Sequence, residues 1–222
     1  MLLEDAEFLA PRRCMREPIV EIFEAAQLLD RAANAHLAGD RASADTLIRR
    51  ADMPAVRAWT ESLWGSKAAN PDQARYHRRR VVPGQPPHLR PDQRLPVRMP
   101  SAGECQAITD RYGRNCLFCG IPLIRKEVRV ALRAAYPDAL PWGSSNPTQH
   151  AAFQCMWLQF DHVLPHSRGG DNSVENVIVT CAPCNYGRWH STLAELGLMD
   201  PRLTVLPKTS WDGLERVLPI RC

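Results

Sequence analysis

Two Cys-x-x-Cys pairs, Cys116/Cys119 and Cys181/Cys184, constrain the fold of this chain more than any other feature of it. Each spacing lets both thiolates of a pair face one tetrahedral ion, and four soft sulfurs are the donor set that Zn²⁺ prefers in a structural site. One ion shared by both pairs ties the loop at Cys116 to the segment at Cys184, although a long stretch of chain lies between them. Such a closed site carries no chemistry, but it contributes roughly 10 kcal/mol or more to folding in small zinc modules. The alternative is two unrelated pairs of core cysteines. Cys14, Cys105, Cys155 and Cys222 have no partner at such a spacing and read as buried or free thiols.

The compartment supports the metal reading. The chain opens acidic, Met1-Leu2-Leu3-Glu4-Asp5, where a secretory leader carries basic residues before an apolar stretch. No apolar run is long enough to span a bilayer. A cytoplasmic protein with reduced thiols, and no membrane partner, is the expectation. A net charge of +4 permits a polyanionic partner without demanding one.

The pattern divides the chain into four parts: residues 1–72, 73–100, 101–198 and 199–222. The first reads as helical. Ile19, Ile22, Phe23, Ala26, Leu29, Ala33 and Leu37 recur at three- and four-residue steps, and Gly39-Asp40 suggests a stop. A second helix is expected over Ala44 to Arg50. A third has Asp52 as cap, Pro54 in its first turn, and Val56, Trp59, Leu63 and Trp64 on its buried face. The second part interleaves Arg75, Arg78, Arg79, Arg80, Arg90, Arg94 and Arg98 with six prolines, which excludes a continuous helix or a central strand. It reads as an extended basic connection that packs on another surface, either as a solvated linker or as a guide for a phosphate backbone.

In the third part, Ser101 and Glu104 form a capping box for a helix ending at Tyr112-Gly113. A second helix is expected over Ile124 to Tyr136, a loop over Pro141 to Gln149, and strands over Trp157 to Val163 and Asn176 to Thr180. A last helix is expected from Pro183 to Leu196, with Gly197 just beyond it. The C-terminal extension is expected to fold back on this part.

Between the cysteine pairs lies Phe160-Asp161-His162-Val163-Leu164-Pro165-His166-Ser167-Arg168-Gly169-Gly170-Asp171, followed by Asn176 and then Asn185 directly after Cys184. Asp161 is a hard oxygen donor suited to Mg²⁺, His162 can accept a proton near neutrality, and Asn185 offers a neutral amide oxygen. Gly169-Gly170 permits left-handed backbone, and Asp171, Asn172 and Ser173 can cap turns. This run resembles the HNH nucleases of the ββα-metal superfamily, over roughly residues 116–196.

The resemblance implies an α+β architecture, with a zinc-clamped ββα nuclease domain behind a helical N-terminal region. It implies His162 as general base, Asp161 and Asn185 as ligands of a catalytic Mg²⁺ or Mn²⁺, and Asn176 as the residue that orients the catalytic loop. His190 is an alternate third ligand. Where many relatives carry Lys-Gly, this chain has Arg188-Trp189. Arg188 is expected on a phosphate oxygen, with Arg168 and His166 on the loop facing the groove. Trp157, Phe160 and Trp189 default to core packing.

The function expected is therefore a metal-dependent endonuclease acting on nucleic acid, DNA rather than RNA on family grounds, in a setting such as restriction or anti-phage defence. The rival is a non-catalytic, zinc-stabilised nucleic-acid-binding or interaction module of a larger complex. The helical N-terminal region is the part available for a protein partner or for target choice.

Overall fold

The computed structural model describes residues 10–65, 73–204 and 209–219. Cys222 and the acidic amino terminus lie outside the described residues.

Three helices open the fold. α1 (Val20–Leu37) buries Ile22, Ala26, Leu29 and Ala33 of the expected stripe, while Phe23 and Leu37 face solvent. Alanines at 25, 32 and 33 keep its inner face flat, and α2 (Arg41–Ala51) packs against it. The first helix stops at Gly39-Asp40 as expected, and Asp40 is also the N-cap of α2: its carboxylate accepts the Ser43 N–H at 3.0 Å, so that helix starts ahead of Ala44. α3 (Pro54–Leu63) buries Val56, Trp59 and Leu63 as the spacing requires. Its N-cap is Met53 rather than Asp52. Asp52 instead accepts the Ala151 N–H at 2.7 Å and Arg57 at 2.9 Å, which pins the helical region to a distant segment.

After the short α4 (Gln73–Tyr76) the chain runs extended to residue 100, broken by one 3₁₀ turn at Pro91–Gln93. α5 (Ala102–Tyr112) carries the expected capping box, with Glu104 Oε2 accepting the Ser101 N–H at 2.7 Å. In α6 (Lys126–Ala135), Arg129 is buried beneath the rings of Trp142 and Trp157, 3.5 and 4.9 Å from their centroids. α7 (Ala151–Cys155) is wholly buried and has no counterpart in the sequence expectation.

The only sheet among the described residues pairs β1 (Leu158–His162) antiparallel with β2 (Val177–Cys181), Leu158 opposite Cys181 and His162 opposite Val177. α8 (Ala182–Arg188) follows β2 without a loop. The single long helix expected here is interrupted. Trp189 takes φ +52°, and Thr192 with Glu195 forms a capping box that starts a separate α9 (Leu193–Leu196), closed by Gly197 at φ +64°. The interruption has a purpose: it turns the Ser191 carbonyl back onto Arg188 at 3.0 Å.

One continuous apolar core joins α1–α3 to the sheet region, with α3 packed on both α7 and α8. The described residues of the C-terminal segment contact both the helical region and the part before them. The Trp211 indole donates to the Leu123 carbonyl at 2.8 Å, Glu215 pairs with Arg114 at 2.8 Å, and Arg216 reaches Asp30 of α1. Among the described residues no helix is long and apolar enough to cross a membrane.

Candidate active site

The two ends of the β1/β2 hairpin carry two different sites. At one end, Cys181 closes β2 and Cys184 sits in the first turn of α8. The tight loop after Cys116 brings the other pair: Gly120 takes φ +80° so that its N–H can return to the Cys116 carbonyl at 2.7 Å. The Leu117 N–H then hooks the loop onto Val179 of β2 at 3.2 Å. All four sulfurs lie within 4.8 Å of one another and all four residues are buried. The Cys119 and Cys181 sulfurs are 3.7 Å apart. A tetrahedron of Zn–S bonds near 2.3 Å requires sulfurs about 3.8 Å apart, so the donor set fits a structural zinc in type, number and spacing. Burial first, then the neighbouring Cys116 sulfur, pushes the Cys181 thiol up to about 12. A cation at the centre offsets that cost by stabilising thiolates.

At the other end, successive residues of β1 face opposite ways. Asp161 points to α8, where Arg188 grips it with two bonds, Nε to Oδ2 at 3.0 Å and Nη2 to Oδ1 at 2.6 Å. The same guanidinium donates to the carbonyls of His162, Val163 and Ser191. Burial holds the Asp161 carboxyl above its ordinary range, against the opposing pull of Arg188. Arg188 is 1% exposed, so the expected contact with substrate phosphate is corrected: its donors are spent on the hairpin and the turn after α8. Arg168 is corrected for the same reason. It is 9% exposed and is held by Glu195 at 2.7 Å, the Pro86 carbonyl at 2.6 Å and the His190 carbonyl at 3.1 Å.

His162 faces the loop between the strands. Its Nε2 lies 2.8 Å from Asn172 Oδ1, and the Asn172 amide nitrogen donates to the Val97 carbonyl at 3.0 Å. That second bond fixes which end of the amide meets the imidazole, so Nε2 carries the proton and Nδ1 is left as the acceptor. Among the described residues Nδ1 has no partner. Burial lowers the His162 pKa, which keeps the ring neutral near pH 7. Sequence reasoning took Asn172 for a turn residue. Nothing in its spacing reveals that it orients His162, because Val97 lies 75 positions earlier.

Asn176 clasps the loop from within. Its Oδ1 accepts the Leu164 N–H at 2.9 Å and its amide donates to the carbonyls of Leu164 and Asp171 at 3.2 and 2.8 Å. Gly170 makes that clasp sterically feasible, since a Cβ there meets the Leu164 oxygen at 1.8 Å. His166 donates to the Leu95 carbonyl at 2.9 Å and its ring lies 5.9 Å from that of His162. His190 bonds Ser167 through Nδ1 at 3.1 Å. The side-chain amide of Asn185 has no partner among the described residues.

Asp161, His162, His166, Asn185 and His190 all line one cleft of about 920 Å³. Its far wall is not part of the hairpin: Trp64, Gln73, His77, Arg79, Arg94, Arg98 and Met99 complete it. Trp64 stacks on Tyr186 of α8 at 4.3 Å.

Residues 152–199 match the family model described as HNH endonuclease. The chain carries an HNH domain. The match begins in α7, covers the hairpin with α8 and α9, and includes Cys181 and Cys184 but not Cys116 and Cys119. Neither the curated proteins nor the solved structures include a match to the chain. The HNH segment thus supplies half of the sulfur cluster and one wall of the cleft, and residues outside it complete both.

Proposed function

We propose that the chain is a metal-dependent endonuclease that hydrolyses phosphodiester bonds of DNA. The observation that carries the reading is His162: a buried imidazole whose Nε2 is committed to Asn172, leaving Nδ1 as a free acceptor in an open cleft. That is the arrangement a general base needs to take a proton from an attacking water. Asn172 and Asn176 act as positioning residues, one on the ring and one on the loop that follows it.

Asp161 and Asn185 are the residues that hold a divalent Mg²⁺ or Mn²⁺. The donor set is suitable, because a carboxylate oxygen keeps a lone pair beside an Arg188 bond and the Asn185 amide has no partner among the described residues. When bound, such an ion neutralises charge developing on the phosphoryl oxygens. A structural Zn²⁺ in the cysteine cluster fixes α8 against the hairpin and so sets the direction of Asn185 beside Cys184. The helices before residue 65 are the surface available for a protein partner.

One observation favours the rival reading, a zinc-stabilised binding module without catalysis. Arg188 already balances the Asp161 charge that a metal needs. Cleavage of supercoiled plasmid separates the two. Nicking or linearisation with Mg²⁺ or Mn²⁺ that stops when the divalent ion is left out supports the hydrolase; retention of plasmid without cutting under either ion supports the module.

A further inference from the structure

The segment from Arg79 to Met99 is neither strand nor helix over most of its length, yet it is held to the catalytic loop at four points. The Leu89 N–H donates to the Ser167 carbonyl at 2.8 Å and Arg168 donates to the Pro86 carbonyl at 2.6 Å. His166 donates to the Leu95 carbonyl at 2.9 Å, and Asn172 to the Val97 carbonyl at 3.0 Å. Six prolines between residues 83 and 100 stiffen it and leave its carbonyls free for such bonds. This strap therefore presents its side chains from a fixed position rather than from a loose linker.

Three of those side chains, Arg79, Arg94 and Arg98, line the cleft that holds His162. Arg94 spends Nε and Nη2 on the Leu89 carbonyl at 3.0 and 2.8 Å and braces the strap. Arg79 and Arg98 are exposed and have no hydrogen bond or ion pair among the described residues. The only carboxylate among the lining residues is Asp161, which is already paired with Arg188. Two guanidinium groups without an ion pair thus face a cleft whose one lining carboxylate is spoken for; Arg79 also feels the charge of Glu195, which Arg168 already holds. Both act electrostatically on His190 in that cleft, and a phosphodiester backbone is a ligand whose charge suits them.

We propose that Arg79 and Arg98 bind backbone phosphates of the nucleic acid in the cleft, in the role the sequence assigned to Arg188 and Arg168. The inference rests on the nuclease reading for its substrate class but not for its geometry. Arg98 adjoins Val97, whose carbonyl anchors Asn172 and through it His162. The element that grips the backbone is thereby the element that orients the base, which sets the register between bound phosphate and imidazole.

The test is fluorescence anisotropy of a labelled DNA duplex with the full chain, without added Mg²⁺ or Mn²⁺, across a salt series. Wild type is compared with Arg79→Ala/Arg98→Ala and with Arg79→Lys/Arg98→Lys, and thermal melting checks that each variant folds. The inference expects the alanine pair to weaken binding and to lower the log–log salt slope by about 1 per arginine, with the lysine pair restoring most of it. An alanine pair that folds and binds with unchanged affinity and slope overturns it, as does a wild type that does not bind DNA. Plasmid cleavage run in parallel keeps the two claims apart. Arginine-dependent binding without metal-dependent cutting by wild type sinks the hydrolase reading alone. Cutting by wild type with arginine-independent binding sinks the strap inference alone.

Discussion

The two ends of the hairpin solve opposite problems. At the Cys181 end, four buried sulfurs face one another, and the donor set suits a cation. At the His162 end the groups on the hairpin and its loop are held by protein partners: Asp161 has Arg188, His162 Nε2 has Asn172, and Asn176 has the loop backbone. Among the described residues His162 Nδ1 and the Asn185 amide have no hydrogen-bond partner, and both belong to the cleft. A permanent metal site leaves no protein contact to fall back on, whereas a substrate site of the kind proposed for the His162 end is braced beforehand and keeps its reacting atoms open.

Breaking each end should therefore have a different signature. The largest effect is expected at the sulfur cluster. Cys184→Ala should abolish zinc and remove a folding contribution on the order of 10 kcal/mol, read as loss of soluble protein and of zinc by elemental analysis. A soluble, cooperatively melting variant with no zinc would show that the cluster is not a folding element.

Next comes the buried ion pair. Arg188→Met strands the Asp161 carboxylate in the interior and should cost about 3–5 kcal/mol by denaturant melts. Asp161→Ala strands the guanidinium and should cost a similar amount, so loss of activity in that variant alone says little about metal binding. The double replacement should recover much of the loss; additive costs would contradict the pairing.

Asn172→Ala sharpens the contrast from the catalytic side. It frees the imidazole without touching the core, and cleavage should fall roughly tenfold to a hundredfold with little change in melting temperature. An equal fall in stability would make Asn172 a structural residue instead. The smallest effect is at the helix break. Trp189 is 66% exposed and holds φ +52°, so Trp189→Gly should raise stability by about 1 kcal/mol in denaturant melts.

How much of this was legible followed how local each cause is. The Cys-x-x-Cys spacings, the Ser101–Glu104 capping box and the β-branched run of β2 act within a few residues, and the structure carries all of them. The last helix was misread because Trp189 and the Thr192–Glu195 box compete with continuation, and an apolar pattern alone does not expose a positive φ. Asp52 does not cap α3 because its carboxylate is taken by Ala151 and Arg57, a tertiary contact that sequence spacing does not reveal. Arg188 and Arg168 look like phosphate ligands in a list of residues. Their carboxylate partners lie 27 positions away in each case, and pairing rather than residue type made them structural.

The central claim is that His162 Nδ1 is the proton acceptor of a hydrolytic site. The most direct measurement is single-turnover cleavage of plasmid DNA with Mg²⁺ by His162→Ala beside wild type, with zinc content and melting temperature recorded on the same samples. The account predicts a loss of at least about a hundredfold in rate with zinc and fold retained. A variant that cuts at the wild-type rate would contradict it.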